Sequence, residues 1–360
     1  MAAKKVLMSG MRPTGRLHLG NYWGALKNWV GLQETYDCYF AAADWHMLTT
    51  GYEDTSGLLD NTREMVLDWL GAGVDPAKAV IFRQSDVSEH AELALLLGMI
   101  TPLSWLENNP TWKEQLQELA RSKRDKMLSP AASGGNVAVA AETESRDELR
   151  THGFLGYPVL QSADILIYGA EVVPVGQDQL PHLELSRDIA RKFNSLFGEK
   201  VLTEPKPLLT ETPKLPGTDG RKMSKSYGNA IDLLETTESL SKKVMTAYTD
   251  PTRLRATDPG HPEPCPENPP GCSVFALHKL YSSDWKKREE ECRAGAIGCV
   301  ACKKLLLPPL ESAFAAFRER RAAYASDKGR VDQVLEEGRK NAKATAERTL
   351  DKVRKAMRLR

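Results

Sequence analysis

The sequence lacks the features that would take the chain into or across a membrane. Among its 360 residues, no stretch approaches the roughly 18 consecutive apolar residues that a membrane span requires. Lys4 and Lys5 precede only three apolar residues, at 6–8, which is far shorter than the apolar core of a secretory signal. We therefore expect no membrane association and a cytoplasmic location.

An excess of charge of one sign is also missing, because 49 Lys and Arg stand against 48 Asp and Glu. A uniformly basic nucleic-acid-binding protein is thereby excluded. The charge is nevertheless uneven along the chain: residues 318–360 contain 14 Lys and Arg and 7 Asp and Glu, a local charge of +7. Such a segment is typical of contact with a phosphate backbone, and equally of a solvated helix face.

Cysteine is almost absent from the first 264 residues, where Cys38 stands alone in an apolar run and is expected to be a small buried side chain. The other five cysteines, at 265, 272, 292, 299 and 302, fall within 38 residues. In a large cytosolic chain, such clustering favours a metal site over disulfides.

Short apolar runs alternate with amphipathic segments over the first half of the chain, which predicts an α/β fold. The pattern predicts a Rossmann-like nucleotide-binding parallel sheet with ligands at the carboxyl ends of its strands. Two later apolar runs, 159–168 and 172–175, can complete the sheet. Strands are predicted at 5–9, 39–43 and 79–82, and helices at 21–33, 57–71 and 91–100.

The domain organisation follows from where this alternation stops. We expect a catalytic domain over 1–203, with a mobile polar insertion at 121–148, and a Pro-, Gly- and Lys-rich loop region over 204–232 that returns to it. Helical patterns dominate 233–360, which predicts a helical C-terminal domain that carries the cysteine cluster.

The first chemical motif runs from Arg12 to Asn21, directly after the first predicted strand and at the start of a helix. Gly20 lets a nucleotide approach the backbone, where free N–H groups point at its phosphates. His18 and Thr14 add donors that can follow charge as it develops on a phosphate. Taken alone, this motif is also compatible with a structural turn.

The second motif is Lys222-Met223-Ser224-Lys225-Ser226, in a glycine-flanked loop. Two lysines three residues apart can close on a triphosphate and neutralise the leaving pyrophosphate. A mobile loop that clamps only in the transition state raises the rate rather than the affinity alone.

In this order and about 200 residues apart across an α/β pattern, the two motifs resemble the signatures of class I aminoacyl-tRNA synthetases. Asn21 departs from the His-Ile-Gly-His consensus but resembles the form found in tryptophan enzymes. The resemblance implies the catalytic residues Thr14, His18, Asn21, Lys222 and Lys225. The ATP-binding residues that it implies are Arg12, Pro13, Thr14, Gly20, Asn21, Gly176, Gln177, Asp178, Leu215, Lys222, Met223, Ser224, Lys225 and Ser226.

Most of the remaining chain is similar to bacterial tryptophan enzymes of this class. An indole presents a single N–H donor on an apolar body, so a selective pocket needs one buried acceptor, and Asp164 lies in an apolar run. Alternatives are that Asp164 caps a helix or, in a tyrosine enzyme, faces a phenol hydroxyl. The resemblance also implies Tyr157 and Gln161 near the tryptophan ammonium group, His46 and Gln179 on the carboxylate or ammonium side, and Val173 and Val175, otherwise core residues, beside the indole.

The resemblance implies ATP with Mg²⁺, L-tryptophan and tRNA(Trp) as partners, and a symmetric dimer. Tryptophanyl-adenylate would form with release of pyrophosphate and then pass tryptophan to the 3′ end of the tRNA, with anticodon binding by the helical domain. Other possibilities are a tyrosine enzyme, a relative that loads a different acceptor, and an RNA-binding module without catalysis.

The spacing of Cys292, Cys299 and Cys302 resembles that of the iron–sulfur branch of the tryptophan enzymes, which implies a 4Fe–4S cluster held by four thiolates. Zinc, and cysteines that bind nothing, are the alternatives. The fourth ligand is open between Cys265, which keeps the family's Pro-Glu-x-Cys-Pro context, and Cys272. We favour Cys272 because it directly precedes a predicted helix.

Overall fold

A computed structural model describes residues 3–109, 151–209 and 215–359. Five parallel strands form one sheet in the order β3-β2-β1-β4-β5. The predicted α/β fold with a parallel sheet and a helical C-terminal region is confirmed. The insertion predicted at 121–148 lies outside the described residues. The strands are β1 Val6–Met11, β2 Asp37–Ala42, β3 Ala79–Arg83, β4 Val172–Val175 and β5 Lys206–Leu209.

Helices cover both faces of the sheet and make up most of the chain after residue 236. None of those in the described part of the chain is long and apolar enough to cross a membrane. The helices are α1 Leu19–Asn21, continued by a π-turn at Tyr22–Leu26, α2 Lys27–Leu32, α3 Asp44–Gly51, α4 Leu58–Ala72, α5 Glu89–Ile100, α6 Leu103–Glu107, α7 His152–Leu166, α8 Leu180–Phe197, α9 Thr237–Thr246, α10 Ser273–Tyr281, α11 Trp285–Arg293, α12 Cys299–Ala325 and α13 Lys328–Ala356.

Two expectations about the elements were wrong. The apolar run at 159–168 forms no strand: it lies mostly in α7, whose N-cap Thr151 accepts a hydrogen bond from the Phe154 N–H. An apolar run buried on all sides looks the same in sequence whether it forms a strand or a helix. Residues 206–209, expected in a loop, form the edge strand β5, which pairs in parallel with β4.

Strand alternation divides the core into two clusters, one on each face of the sheet. Leu7 of β1 and Phe40 of β2 face α2, α4 and the C-terminal helices, and Trp29 stacks on Phe40 there. Met8 and Tyr39, one residue away in each strand, face α7 and α8 instead. Cys38 is fully buried in the first cluster, as expected.

The last helix, α13, returns to the sheet and crosses its edge at β3. A Cβ on Gly338 would lie 1.7 Å from the carbonyl oxygen of Ile81, so only glycine permits this approach. Several basic side chains of the C-terminal segment pair with acids of the first 110 residues, including Arg321 with Asp68 and Arg354 with Glu92. At these positions, the basic charge therefore holds the two regions together.

Candidate active site

The strand order reverses between β1 and β4, and a cavity of about 320 Å³ opens at the carboxyl ends of these strands. In parallel α/β sheets, this switch point is the usual place for a ligand. The cavity brings together the residues predicted to bind the amino acid. Its lining includes Met8, Ser9, Gly10, Arg12, His46, Tyr157, Gln161, Asp164, Val173, Val175, Gln179 and His182.

Asp164 lies at the wall of this cavity and is only 6% exposed. Its carboxylate accepts from three side chains: Gln84 Nε2 at 2.8 and 2.9 Å, His46 Nε2 at 2.8 Å and His90 Nδ1 at 2.6 Å. Burial alone would raise the pKa of Asp164, but the hydrogen bonds from His46 and His90 outweigh it and lower the pKa well below its usual range. Asp164 is therefore an ionised acceptor at the wall of the cavity.

The hydrogen-bond partners behind Asp164 determine where the protons lie. Burial raises the pKa of Tyr168 well above its usual value, so its hydroxyl stays protonated. The Tyr168 hydroxyl can donate to His90 Nε2, which lies 2.6 Å away, while His90 Nδ1–H donates to Asp164. His90 thus bridges the Tyr168 hydroxyl and the Asp164 carboxylate.

Tyr157 lies on the same helix as Asp164, and its hydroxyl is 2.8 Å from Nε2 of His182 on α8. Burial raises the pKa of Tyr157 to about 12, although Arg12 acts in the opposite direction. Gln161, one helical turn from both Tyr157 and Asp164, lines the cavity between them, and Val173 and Val175 face it from β4. The predicted set is therefore grouped in one place.

His46 lines the same cavity, and its predicted place beside the amino acid stays a prediction. The resemblance assigned it to the carboxylate or ammonium side of the amino acid, whereas its imidazole contacts Asp164, the residue predicted for the indole.

The first motif forms the expected turn between β1 and α1. His18 is the N-cap of α1, and its N–H donates to the Asn21 side chain at 3.1 Å. A Cβ on Gly20 would come within 2.8 Å of the His18 ring, so glycine is needed for the imidazole to lie there. Burial, helped by the charge of Lys225, lowers the pKa of His18 to about 4, which makes it a neutral donor at pH 7.

The second motif is docked on the first. Lys225 Nζ donates to the Thr14 carbonyl oxygen at 2.8 Å, and Met223 is buried beside Gly20. The backbone beyond the loop continues this contact, because Leu19 N–H donates to the Ile231 carbonyl and Leu233 N–H to the Leu17 carbonyl. The structure therefore brings together two motifs that lie about 200 residues apart.

Asn229 holds the second motif in shape, and its side chain is almost fully buried. Its amide oxygen accepts from the Ser224 N–H at 2.8 Å, and its amide nitrogen donates to Asp219 at 2.7 Å and to the Lys222 carbonyl at 3.1 Å. A Cβ on Gly217 would lie 2.3 Å from the Asn229 side chain. The exposed lysine Lys222 is thus carried on a loop that is rigid at its base.

The remaining predicted nucleotide residues lie directly after β4, in the first motif or beside the second motif. Gly176 follows β4 directly, and the 3₁₀ turn Gln177–Gln179 leads into α8. Leu215 is buried, and its carbonyl accepts from the Met223 N–H at 3.3 Å. Pro13 is also buried, in the turn of the first motif. The side chains of Asp178 and Ser226 lie outside the described part of the chain.

Four cysteines surround a small cavity between α10, α11 and α12: Cys272, Cys292, Cys299 and Cys302. Arg253 Nη1 lies 3.7 Å from the Cys292 sulfur and 3.8 Å from that of Cys299, where it can offset negative charge. Burial raises the pKa of Cys272 to about 11 and that of Cys302 to about 12. Cys265 does not line this cavity.

Reasoning from sequence missed Gln84, His90 and His182. Gln84 directly follows β3, so its place at a strand's carboxyl end is the signal that could have found it. Its side-chain oxygen Oε1 accepts from the Trp45 N–H at 3.2 Å, which turns the side-chain nitrogen Nε2 toward Asp164. His90 and His182 lie on helices without a local motif, and only the fold brings them to the cavity.

Comparison with known proteins agrees with this geometry. The family described as tRNA synthetases class I (W and Y) matches residues 2–315. The chain belongs to this family.

Two named relatives and one crystal structure align over nearly the whole chain. A tryptophan–tRNA ligase of Aquifex aeolicus is 48% identical, with 98% of this chain and 99% of the relative aligned. One from Thermotoga maritima is 46% identical over the same shares. The crystal structure of tryptophanyl-tRNA synthetase from Campylobacter jejuni, complexed with ADP and tryptophan, is 31% identical with a TM-score of 0.76 and covers 98% of this chain and 99% of its own.

Proposed function

We propose that this class I synthetase is a tryptophan–tRNA ligase: it activates L-tryptophan with ATP and transfers it to tRNA(Trp). The observation that carries the proposal is the ionised, buried Asp164 in a cavity beside two docked ATP motifs. Full-length similarity to tryptophan–tRNA ligases supports the choice of amino acid. We also propose that the charging of tRNA takes place in the cytoplasm.

The test is amino-acid-dependent exchange of labelled pyrophosphate into ATP. Tryptophan should support exchange and tyrosine should not, and exchange with tyrosine alone would favour the tyrosine enzyme. Transfer to tRNA(Trp), with a tRNA of another anticodon as control, tests the acceptor separately. Efficient loading of the control tRNA would point to a different acceptor.

Recognition of tryptophan in this proposal depends on one hydrogen bond, from the indole N–H to Asp164. Gln84 and His90 approach the carboxylate from inside the protein, whereas His46 lines the cavity. An entering indole would share Oδ2 with His46 or displace it. A pocket that offers an ionised acceptor discriminates against analogues without a donor more strongly than shape alone can.

Catalysis in this proposal is positioning and charge stabilisation. The tryptophan carboxylate attacks the α-phosphorus of ATP, the bond to the β,γ-pyrophosphate breaks, and the adenylate remains bound. Neutral His18 would donate to the phosphate oxygens, and Lys222 and Lys225 would neutralise the leaving group, with Mg²⁺ on the phosphates. The ribose 3′ or 2′ hydroxyl of the terminal tRNA adenosine then attacks the acyl carbon, and AMP leaves.

We also propose that Cys272, Cys292, Cys299 and Cys302 hold a 4Fe–4S cluster. Their shared cavity and the facing Arg253 support a multi-thiolate site with negative charge. In the described ranges, no three of these sulfurs lie within 4.8 Å of one another. Zinc at about 2.3 Å from each of four sulfurs would need spacings of about 3.8 Å, so a wider cubane fits better.

Anaerobic purification tests the cluster. Four irons and four sulfides per chain, with a brown colour, would support it, and stoichiometric zinc without sulfide would contradict it. Cys272→Ser should lose the iron and Cys38→Ser should retain it, because Cys38 lies in the first core cluster.

Two further proposals concern assembly and tRNA. We expect a symmetric homodimer, to be tested by light scattering. Leu95, Met99 and Leu103 are more than half exposed beside an apolar groove of α5–α7 and offer a surface for it.

We expect the helical residues 233–360 to bind the anticodon and the catalytic regions 1–203 and 204–232 to bind the acceptor end, which crosslinking to tRNA can test.

A further inference from the structure

Outside the four-thiol cavity, three side chains of different chemistry converge in the segment between α9 and α10. His261, Cys265 and Glu267 each offer a ligand atom, and these atoms all lie within 4.8 Å of one another. Among residues 3–109, 151–209 and 215–359, this is the single set of three or more such groups that meets that distance. Nothing in the proposed aminoacylation chemistry uses these residues.

The His261 imidazole has a buried carboxylate as its hydrogen-bond partner. Its Nδ1 lies 2.9 Å from Oδ2 of Asp250, and its backbone N–H donates to the same oxygen at 2.5 Å. The Asp250 side chain is 2% exposed, so this bond is shielded from water. A carboxylate on Nδ1 fixes the tautomer and leaves Nε2 as a lone-pair donor, which is the usual arrangement behind a metal-bound imidazole.

The backbone of the segment is built around the fully buried Asn268. Cys265 and Asn268 exchange backbone hydrogen bonds at 3.1 Å in both directions. The Asn268 amide nitrogen donates to the His261 carbonyl at 2.7 Å. The Cys265 thiol donates to the Glu267 carboxylate. His261 and Cys265 are thus held in position by a shared buried partner, with a carboxylate beside the thiol.

We propose that His261, Cys265 and Glu267 form a separate site for a divalent transition-metal ion of the zinc type. One nitrogen, one sulfur and one oxygen ligand suit the borderline softness of Zn²⁺, and the fourth tetrahedral position would take water. On binding, the Cys265 thiol releases its proton to solvent. The thiolate, Glu267 and Asp250 then supply three negative charges around one dication.

The site shares a chain segment with the four-thiol cavity but shares no ligand with it. Cys272 is the N-cap of α10 and lines that cavity, and its N–H donates to the Pro262 carbonyl at 2.9 Å. Cys265 lies on the other side of the Asn268 turn. Cys265 and Cys272, the two candidates for the fourth cluster ligand, would then have separate roles.

The test uses the full-length protein, purified anaerobically and dialysed against a mild chelator. Zn²⁺ is then titrated in competition with a chromophoric chelator, and zinc, iron and sulfide are measured per chain. The wild type should bind one zinc that Cys265→Ser does not bind, with the iron content of the two proteins equal. Asp250→Asn should weaken zinc binding about 10- to 100-fold, the usual range for a residue that orients a ligand.

Glu267→Gln and Glu263→Gln form a matched pair, because Glu263 instead pairs with Lys279 at 2.7 Å. The first change should weaken zinc binding about tenfold or more and the second should leave it unchanged. Co²⁺ in the wild type should give the charge-transfer band of a single thiolate, absent in Cys265→Ser. Loss of iron in Cys265→Ser would overturn the proposal by making Cys265 a cluster ligand. Equal zinc content in wild type and Cys265→Ser would overturn it as well.

Discussion

The amino-acid cavity and the loop of the second motif, Lys222–Ser226 (the phosphate loop), lie at the same edge of the sheet but are built in opposite ways. In the cavity, Asp164 is held by buried partners from three other elements. In the phosphate loop, both lysines are exposed, and the shape comes from Asn229 and from close approaches that only Gly20 and Gly217 allow.

This difference corresponds to two tasks. A buried acceptor that Gln84 and His90 already hold in place recognises a donor with no rearrangement beyond His46, which serves selectivity. Lysines on a loop with a rigid base can follow a triphosphate from ground state to transition state, which serves rate. We therefore expect changes in the loop to act mainly on kcat and changes in the cavity mainly on tryptophan KM. The predictions below test that division.

The largest effect is expected for Lys225→Ala. The ammonium group that docks on the Thr14 carbonyl would no longer stabilise the developing charge. We expect kcat for pyrophosphate exchange to fall about 10²- to 10³-fold, as when one oxyanion donor is removed. Tryptophan KM should stay within a few-fold of the wild-type value. Lys200→Ala, on the exposed loop before β5, is the control. If Lys225→Ala acted mainly on tryptophan KM, the separation of rate from recognition would be contradicted.

Asp164→Asn should raise tryptophan KM about 100-fold, because the indole N–H loses an ionised acceptor. A second measurement separates recognition from damage to the fold. The analogue with a benzothiophene in place of indole lacks the N–H, and wild type should discriminate against it strongly. In Asp164→Asn this discrimination should nearly vanish, and unchanged discrimination would remove Asp164 from indole recognition.

Gly20→Ala should lower kcat about 10- to 100-fold with little loss of stability, because displacement of a catalytic group by about 1 Å can cost that much. The added methyl would lie 2.8 Å from the His18 ring, which must swing away. Gly24→Ala, four residues later, meets nothing within 4 Å and is the matched control. Equal activity of the two variants would show that the position of His18 does not matter.

Gln84→Leu keeps the size of the side chain but removes both hydrogen bonds to Asp164 and the one from the Trp45 N–H. The free energy of unfolding should fall by about 1–3 kcal/mol, because buried polar partners are left unsatisfied. Tryptophan KM should rise about tenfold while kcat stays near the wild-type value. Denaturant unfolding and steady-state exchange measure the two effects, and a fall in kcat alone would contradict the division.

The last prediction concerns the pH dependence of stability rather than kcat or KM. His18 has a pKa of about 4 in the folded protein, against an ordinary value of 6.5, so the unfolded chain takes up the proton first as pH falls. Stability should therefore drop as pH falls from about 6.5 to about 4, and this part of the slope should be absent in His18→Gln. The measurement is the difference in urea midpoint between the two proteins across that range. Parallel curves would contradict the lowered pKa.

Local patterns predicted much of the fold. Alternating strands and helices gave the parallel sheet, because turns and amphipathic periods are written into short stretches of chain. The pattern failed at α7 and β5: the first is mostly buried in its second half, and the second is a four-residue edge strand with two exposed ends. Neither carries a period that separates strand from helix or loop.

The candidate site likewise contains residues that local sequence predicted and residues that it did not. The first motif and the phosphate loop are contiguous in sequence, so their residues were found together. His90 and Gln84 were not, because their role comes from contact with Asp164, which lies 74 and 80 residues further along the chain.

The sequence by itself determined the two ATP motifs, the cysteine clustering and the alternation of strands and helices that predicts a parallel sheet, because each is a pattern along a stretch of the chain. Only the tertiary structure decided which side chains meet. It docks Lys225 on Thr14, surrounds Asp164 with Gln84, His46 and His90, and separates Cys265 from the four-thiol cavity. Such contacts depend on how distant elements pack around the sheet, and the spacing of residues along the chain carries no record of that geometry.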